Sequence, residues 1–360
     1  MTEPATAESL RSIGWLGDPA EALRELPEGS ALARIVAQHR SGYRVHTGSD
    51  EIAVQTPATL MRRGGDPVAR PGVGDWVQIT LGTEPTIERL LPRRTALIRG
   101  AAGESRARQL IAANVDVVFI VCGLDGDFNA RRIERYLVLT RSSGAKPVVV
   151  LTKEDLSATS AERLMEVRAL AGPDTPVLAV NARTLAAGEA LRLWLPAGTT
   201  AVLVGSSGAG KSTLTNSLLG IERQATATVR EHDSRGRHTT THRALLPLPT
   251  GACLIDTPGM RELKLTGDED VATASFEDID ALLGTCRYSD CGHGNEPGCA
   301  IRPALESGAL PAERWAHFSK LSDEAAAASA SVTQRMAGKR EEKAVHRALG
   351  KRLVEKYGRR

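Results

Sequence analysis

Aromatic residues are scarce: Phe, Trp and Tyr together make up 3% of 360 residues. The core must therefore be built mostly from Ala, Leu, Val and Ile. With 41% hydrophobic and 25% charged residues, the composition is that of a globular chain and excludes a disordered one. Cysteine is also rare, with five in all. Three of these cluster around one histidine, which excludes a disulfide framework and favours intracellular metal-site usage. No apolar run approaches the roughly 20 residues of a membrane-spanning helix. The acidic, polar amino terminus lacks the apolar stretch of a secretory signal. These absences lead us to expect a soluble, cytoplasmic protein with no membrane partner. No internal repeat is visible.

Excess charge of one sign is nearly absent overall, at net +3, but it is unevenly placed. Residues 1–30 carry two Arg against six acids, and residues 31–115 twelve Arg against seven acids. Residues 339–360 carry nine Lys or Arg against three acids. Basic stretches therefore flank a central region on both sides, which suits contact with a polyanion.

The length allows two or three domains, and the rhythm of the chain divides it. Residues 1–30 read as an amino-terminal extension with a short helix, Ala20–Leu26, and loose ends. Residues 31–100 read as a small β-barrel, from short strands at Ala31–Gln38, Gly42–Thr47, Glu51–Gln55 and Asp75–Thr80 punctuated by Gly and Pro. An OB-like barrel is favoured, and an SH3-like barrel would read almost the same. Residues 101–270 alternate strands and helices. Apolar runs at Val115–Val121, Pro147–Leu151, Val177–Val180 and Thr200–Val204 are separated by helical patterns at Arg131–Thr140, Ala161–Leu170 and Ala186–Leu195. That is the pattern of an α/β domain with a parallel sheet covered on both faces. A hairpin, Ala244–Leu248 and Ala252–Asp256, follows. Residues 271–338 read as mostly helical and interrupted by the cysteine cluster. Residues 339–360 read as a basic helix, Glu341–Lys356, with a tail.

Four constellations carry chemistry. Gly205-Ser206-Ser207-Gly208-Ala209-Gly210-Lys211-Ser212 is a complete phosphate loop between a strand and a helix, with Thr213 in the helix. Its glycines let backbone N–H groups turn onto phosphates, and the helix amino terminus favours the same anions. Lys211 would reach the β- and γ-phosphates, and the Ser212 hydroxyl would ligate Mg²⁺. Asp256-Thr257-Pro258-Gly259 ends a later strand. There Asp256 would hold Mg²⁺ through water and the Gly259 N–H would sense the γ-phosphate. Between these motifs lies Arg235-Gly236-Arg237-His238-Thr239-Thr240-Thr241-His242, a polar segment with the threonine that a first switch needs. Thr240 is the favoured Mg²⁺ ligand. The third constellation is Thr152-Lys153-Glu154-Asp155. Asp155 can accept two hydrogen bonds from guanine N1–H and its amino group, which adenine cannot offer, and the Lys153 stem would pack over the base. Asn181-Ala182, after the next strand, stands where a backbone contact to the base oxygen would come. The fourth is Cys286, Cys291, His293 and Cys299. Three thiolates and an imidazole suit a closed tetrahedral Zn²⁺ site with a structural role. Cys122 and Cys253 lie in apolar strands and read as inert core thiols.

The order of the motifs is unusual. The base-recognition segment precedes the phosphate loop, whereas an ordinary GTPase domain has it late. With the barrel, Gly236-Arg237-His238-Thr239-Thr240-Thr241 and the spacing of the metal ligands, the chain resembles the ribosome small-subunit-dependent GTPase A family (RsgA, also called YjeQ). The resemblance spans about residues 30–340. It implies a multi-domain, circularly permuted GTPase with an amino-terminal OB domain and a carboxyl-terminal zinc domain. It also implies a factor in late 30S maturation whose slow hydrolysis is stimulated by that subunit. The expected partners are the 30S subunit, its rRNA and GTP or GDP, with no DNA. The expected state is a monomer. Two residues depart from the family pattern: Thr152 replaces Asn in the base motif, and Asn181 replaces Ser. Met260 stands where Ras-like enzymes carry a water-orienting Gln, which makes His238 the candidate to position the attacking water. The same Met260 leaves a second reading open, a nucleotide-gated rRNA-binding module whose hydrolysis is incidental. A P-loop kinase or ATPase is disfavoured by Asp155.

Overall fold

The computed structural model describes residues 6–24, 26–39, 42–61, 66–100, 108–220, 243–257, 264–294 and 296–330. The chain separates into two compact units, one ending at Lys264 and the next beginning at Leu265.

The first unit opens with α1 (Ala7–Ser12) and α2 (Pro19–Arg24). Thr6 and Ser9 form a reciprocal capping box at the start of α1. Leu10 and Ile13 are buried against Leu32 and Trp76, so residues 6–13 are packed where the sequence suggests a loose end; residues 1–5 lie outside the described residues. The apolar pair, three residues apart behind a Thr-x-x-Ser cap, was the available signal.

Five strands follow: β1 (Ser30–His39), β2 (Gly42–His46), β3 (Glu51–Val54), β4 (Trp76–Thr80) and β5 (Thr86–Leu90). β1 pairs with β2 and β4, β2 with β3, and β4 with β5, all antiparallel. A parallel bridge from Gln55 to Thr86 closes the ring, giving the order β1-β2-β3-β5-β4-β1. Alternate residues fill its interior: Ala33, Ile35, Tyr43, Val45, Val54, Val77, Ile79 and Ile87. The fifth strand is hard to read from sequence, because Ile87 is its one fully buried residue.

The two-stranded pair β6 (Ala96–Gly100) and β7 (Arg108–Ala113) leads into the α/β region. That region runs β8 (Val117–Gly123), α3 (Ala130–Ser142), β9 (Lys146–Thr152), α4 (Ser160–Ala171), β10 (Val177–Val180), α5 (Leu185–Arg192), β11 (Thr200–Gly205) and α6 (Lys211–Leu219). The hairpin β12 (Ala244–Pro247) and β13 (Cys253–Asp256) completes it. Spatial order is β10-β9-β8-β11-β13-β12. The first five strands are parallel and β12 is antiparallel. The near-continuous burial of β8, β9 and β11 is what a parallel sheet covered on both faces requires. At its far edge β12 meets β1 through Ala244 and Ala37, so barrel and sheet share one hydrogen-bonded surface.

In the second unit α7 (Val271–Ser275), α8 (Glu277–Leu283) and α9 (Ile301–Glu306) join helical residues 312–330. Phe276, Ile279, Ile301 and Leu321 are fully buried at its centre. Phe276 lies edge-on to Phe318 at 5.4 Å. Among the described residues no helix is long and apolar enough to cross a membrane.

Candidate nucleotide site and metal centre

Parallel strands deliver the nucleotide motifs to one edge. β8, β9, β10, β11 and β13 end at Gly123, Thr152, Val180, Gly205 and Asp256. Neighbouring strands run in the same direction, so these termini share the carboxyl edge of the sheet, where open α/β folds bind ligands. The phosphate loop leaves β11 at Gly205, whose φ is 145°. A Cβ there would stand 2.1 Å from the Val121 carbonyl oxygen, so only glycine lets the loop start so close to β8. Gly210, at φ 94°, caps α6, and a Cβ there would stand 3.3–3.5 Å from the Thr152 side chain. Lys211 starts α6, with Ser212 and Thr213 in the first turn.

The base motif and the phosphate loop touch. The Thr152 hydroxyl donates to the Ala209 carbonyl at 2.6 Å, across 57 residues of chain. Thr152 is fully buried, and the threonine hydroxyl is the group that makes this tether. Lys153 then adopts a left-handed backbone, φ 61°, that turns the chain into the short 3₁₀ helix Glu154–Leu156. Asp155 is exposed on that turn. Asn181 follows β10 on the same edge and accepts from the Arg183 N–H at 3.0 Å, while Ala182 is buried. Asp256 ends β13, and the neighbouring Thr257 hydroxyl donates to Leu203 of β11 at 3.3 Å.

The Lys211 ammonium lies 2.8 Å from the Gly205 carbonyl and 2.5 Å from that of Ser206. Burial pulls its pKa down to about 8, while the charges of Asp256 and Asp127 act in the opposite sense. A half-buried ammonium beside backbone N–H groups at a helix amino terminus is suited to polyphosphate. Gly259, His238 and Thr240 lie outside the described residues.

Two acids that the motif reading passed over also reach this edge. Asp125 and Asp127 lie in the connection from β8 to α3. Asp125 is ion-paired with Lys153. Asp127 accepts from the Ser206 hydroxyl of the phosphate loop. No short motif marks either residue. Their position just beyond the carboxyl end of a parallel strand was the one available signal.

Cys286, Cys291, His293 and Cys299 form the second centre. Their ligand atoms all lie within 4.8 Å of one another. His293 Nδ1 is 3.7 Å from Cys286 Sγ and 3.8 Å from Cys299 Sγ. Tetrahedral Zn²⁺ bonds place ligand atoms about 3.5–3.8 Å apart, so the residues fit such an ion. The Ala300 N–H donates to Cys286 Sγ at 3.4 Å, the sort of contact that stabilises a thiolate. His293 takes φ 59°, and its ring stands edge-on to Trp315 at 5.6 Å.

This sheet order, with base-motif strands ahead of the phosphate loop in the chain, defines the class as a circularly permuted P-loop GTPase. Solved structures agree on the fold. YjeQ from Thermotoga maritima matches at TM-score 0.59 and 23% identity, over 82% of this chain and 98% of that one. YloQ, titled a circularly permuted GTPase, matches at 0.55 and 21%, over 83% and 96%. The RsgA GTPase family model matches residues 90–266. The small ribosomal subunit biogenesis GTPase RsgA of Xanthomonas axonopodis pv. citri is 53% identical over 336 residues, 91% of this chain and 92% of that protein. Its counterpart in Xanthomonas euvesicatoria pv. vesicatoria is 51% identical over 349 residues, 93% of each. The chain belongs to the RsgA GTPase family and is a GTP hydrolase.

Proposed function

We propose that this GTPase binds the 30S ribosomal subunit and assists its late maturation, with slow intrinsic hydrolysis that the subunit stimulates. The observation that carries the nucleotide part is the bond from Thr152 to Ala209. It joins the segment suited to guanine to the segment suited to phosphates, so one GTP can span both. The biogenesis role is supported by the names of relatives that match more than nine-tenths of the chain.

In this reading Asp155 selects guanine, Lys153 covers the base, and Asn181 and Ala182 supply backbone contacts to it. Gly205 to Thr213 hold the phosphates. Ser212, Thr240 and Asp256 hold Mg²⁺, which neutralises charge on the β- and γ-phosphates when bound. Gly259 reports the γ-phosphate, and His238 orients water once the subunit orders its segment. Cys286, Cys291, His293 and Cys299 hold one structural zinc. The ring order β1-β2-β3-β5-β4-β1, with its parallel β3–β5 bridge, supports an OB barrel, a common platform for single-stranded RNA. The domain plan is an extension at 1–30, barrel at 31–100, GTPase at 101–270, zinc domain at 271–338 and basic tail at 339–360. The protein works as a cytoplasmic monomer on rRNA, with neither DNA nor membrane as partner.

Single-turnover GTP hydrolysis with and without purified 30S subunits tests this. Subunits should raise the rate at least tenfold, and an unchanged rate would sink the proposal. Replacing His238 by Ala should abolish that stimulation if the residue positions water. Tighter 30S binding with a non-hydrolysable GTP analogue than with GDP is expected, and equal affinities would remove the nucleotide gate.

A further inference from the structure

The connection from β8 to α3 contacts the base motif, the phosphate loop, α3 and α4. Asp125 pairs with Lys153. Asp127 accepts from Ser206 and pairs with Arg132 of α3 at 3.0 and 2.9 Å. Phe128 lies under the Arg163 guanidinium of α4 at 4.6 Å. Asn129 caps α3 through the Arg132 N–H at 2.9 Å. Two acids two residues apart therefore hold the base motif and the phosphate loop separately.

A bare carboxylate beside a phosphate site would repel its ligand. Arg132 offsets that charge by contacting both Asp127 oxygens, so what remains at Ser206 is mainly orientation. Ser206 is nearly buried, at 9% exposure, and its carbonyl is one of the two that Lys211 contacts. Fixing the Ser206 side chain fixes the first peptide of the loop, whose orientation sets where the following N–H groups aim.

We propose that Asp127 is a positioning residue of the phosphate loop, acting through Ser206, while Asp125 positions the base motif through Lys153. The inference rests on the phosphate-loop reading given above. Asp127 touches no phosphate in this scheme. Its effect should therefore scale with the number of phosphates the loop must hold and leave the base end alone.

The experiment compares GDP and GMP affinity for the full-length protein and its variants. Asp127→Ala and Ser206→Ala should each weaken GDP about tenfold and GMP less than threefold. The double variant should be no weaker than the worse single, because both remove one contact. Asp127→Asn, which still offers an oxygen to Ser206, should retain most GDP affinity. Asp125→Ala should weaken GDP and GMP by the same factor. Ser206→Ala removes a single hydroxyl and keeps the idea testable should an Asp127 variant misfold. GDP affinity unchanged in both Ser206→Ala and Asp127→Ala, while Lys211→Ala abolishes binding, would overturn the positioning role and leave the phosphate-loop reading intact. Normal GDP binding by Lys211→Ala would overturn the phosphate-loop reading itself, and the positioning role with it.

Discussion

Thr152 shows how much of a motif can rest on one atom. Its hydroxyl is the link between β9 and the Ala209 carbonyl, and the residue is fully buried. Thr152→Val keeps the shape and deletes the donor, leaving a carbonyl short of its partner. A cost of about 1–3 kcal/mol is expected. Calorimetric GDP titration should show binding at least fivefold weaker, and Thr152→Ser should restore it. A Val variant that binds like the parent would show that the tether is idle. At this scale the sequence was most legible where chemistry dictates spacing. Glycines at 205, 208 and 210 and ligands at 286, 291, 293 and 299 are set by the geometry of phosphate and metal. Asp127 was illegible because its partner Ser206 lies 79 residues away and the pairing follows from the fold rather than from any local pattern.

Among elements, what could be read followed the strength of the periodic signal. The buried runs of β8, β9 and β11 and the amphipathic α3 stand out because their burial is almost complete on the inward side. The weak alternation of β5 and β6 hides them, since half-exposed strands borrow their stability from neighbours. The same dependence on neighbours governs the helices of the second unit. Arg314 holds Asp278 of α8 through two bonds of 2.6 Å and lies over Phe276 at 4.9 Å. The hydrogen bond to Arg314 keeps the Asp278 carboxyl below its ordinary pKa. For a depressed carboxylate the added stability is present above the unfolded pKa, about 3.9, and is lost as pH falls through the folded value. Both side chains are partly exposed, so the pair contributes no more than about 1 kcal/mol. Thermal melts of the parent and Asp278→Asn should differ by a constant amount from pH 5 to 8, and the difference should shrink as pH falls below 4. A difference that stays undiminished down to pH 3 would assign the effect to packing.

At the scale of the whole molecule, the two units depend on different cements. In the first, Arg34 is fully buried. Its guanidinium donates to Ile13 beyond α1 at 2.6 Å, to Gly74 before β4 at 3.2 Å and to Asn114 before β8 at 3.2 Å. Burial lowers its pKa, yet a guanidinium keeps its proton in proteins. One side chain thus ties the amino-terminal segment, the barrel and the sheet. Arg34→Met should leave the Ile13 and Asn114 carbonyls unsatisfied, while Gly74 keeps the Asn114 side-chain amide at 3.1 Å, and should cost about 2 kcal/mol or more, seen as a lower urea midpoint for loss of GDP binding. The second unit has a small core and a loop, 284–298, whose described residues form no named helix or strand. Metal ligation is the evident means of fixing such a loop. All described nucleotide residues precede Lys264, and all four Cys and His ligands follow it. Stripping the metal with a chelator should therefore release one zinc per chain and increase amide exchange around residues 286–299, while GDP affinity changes less than about twofold. Cys286→Ser should reproduce that pattern without chelator. If chelation instead weakens GDP binding by tenfold or more, the metal centre is coupled energetically to the nucleotide site and cannot be a local fastener. If neither metal nor exchange responds, the four ligands hold no zinc.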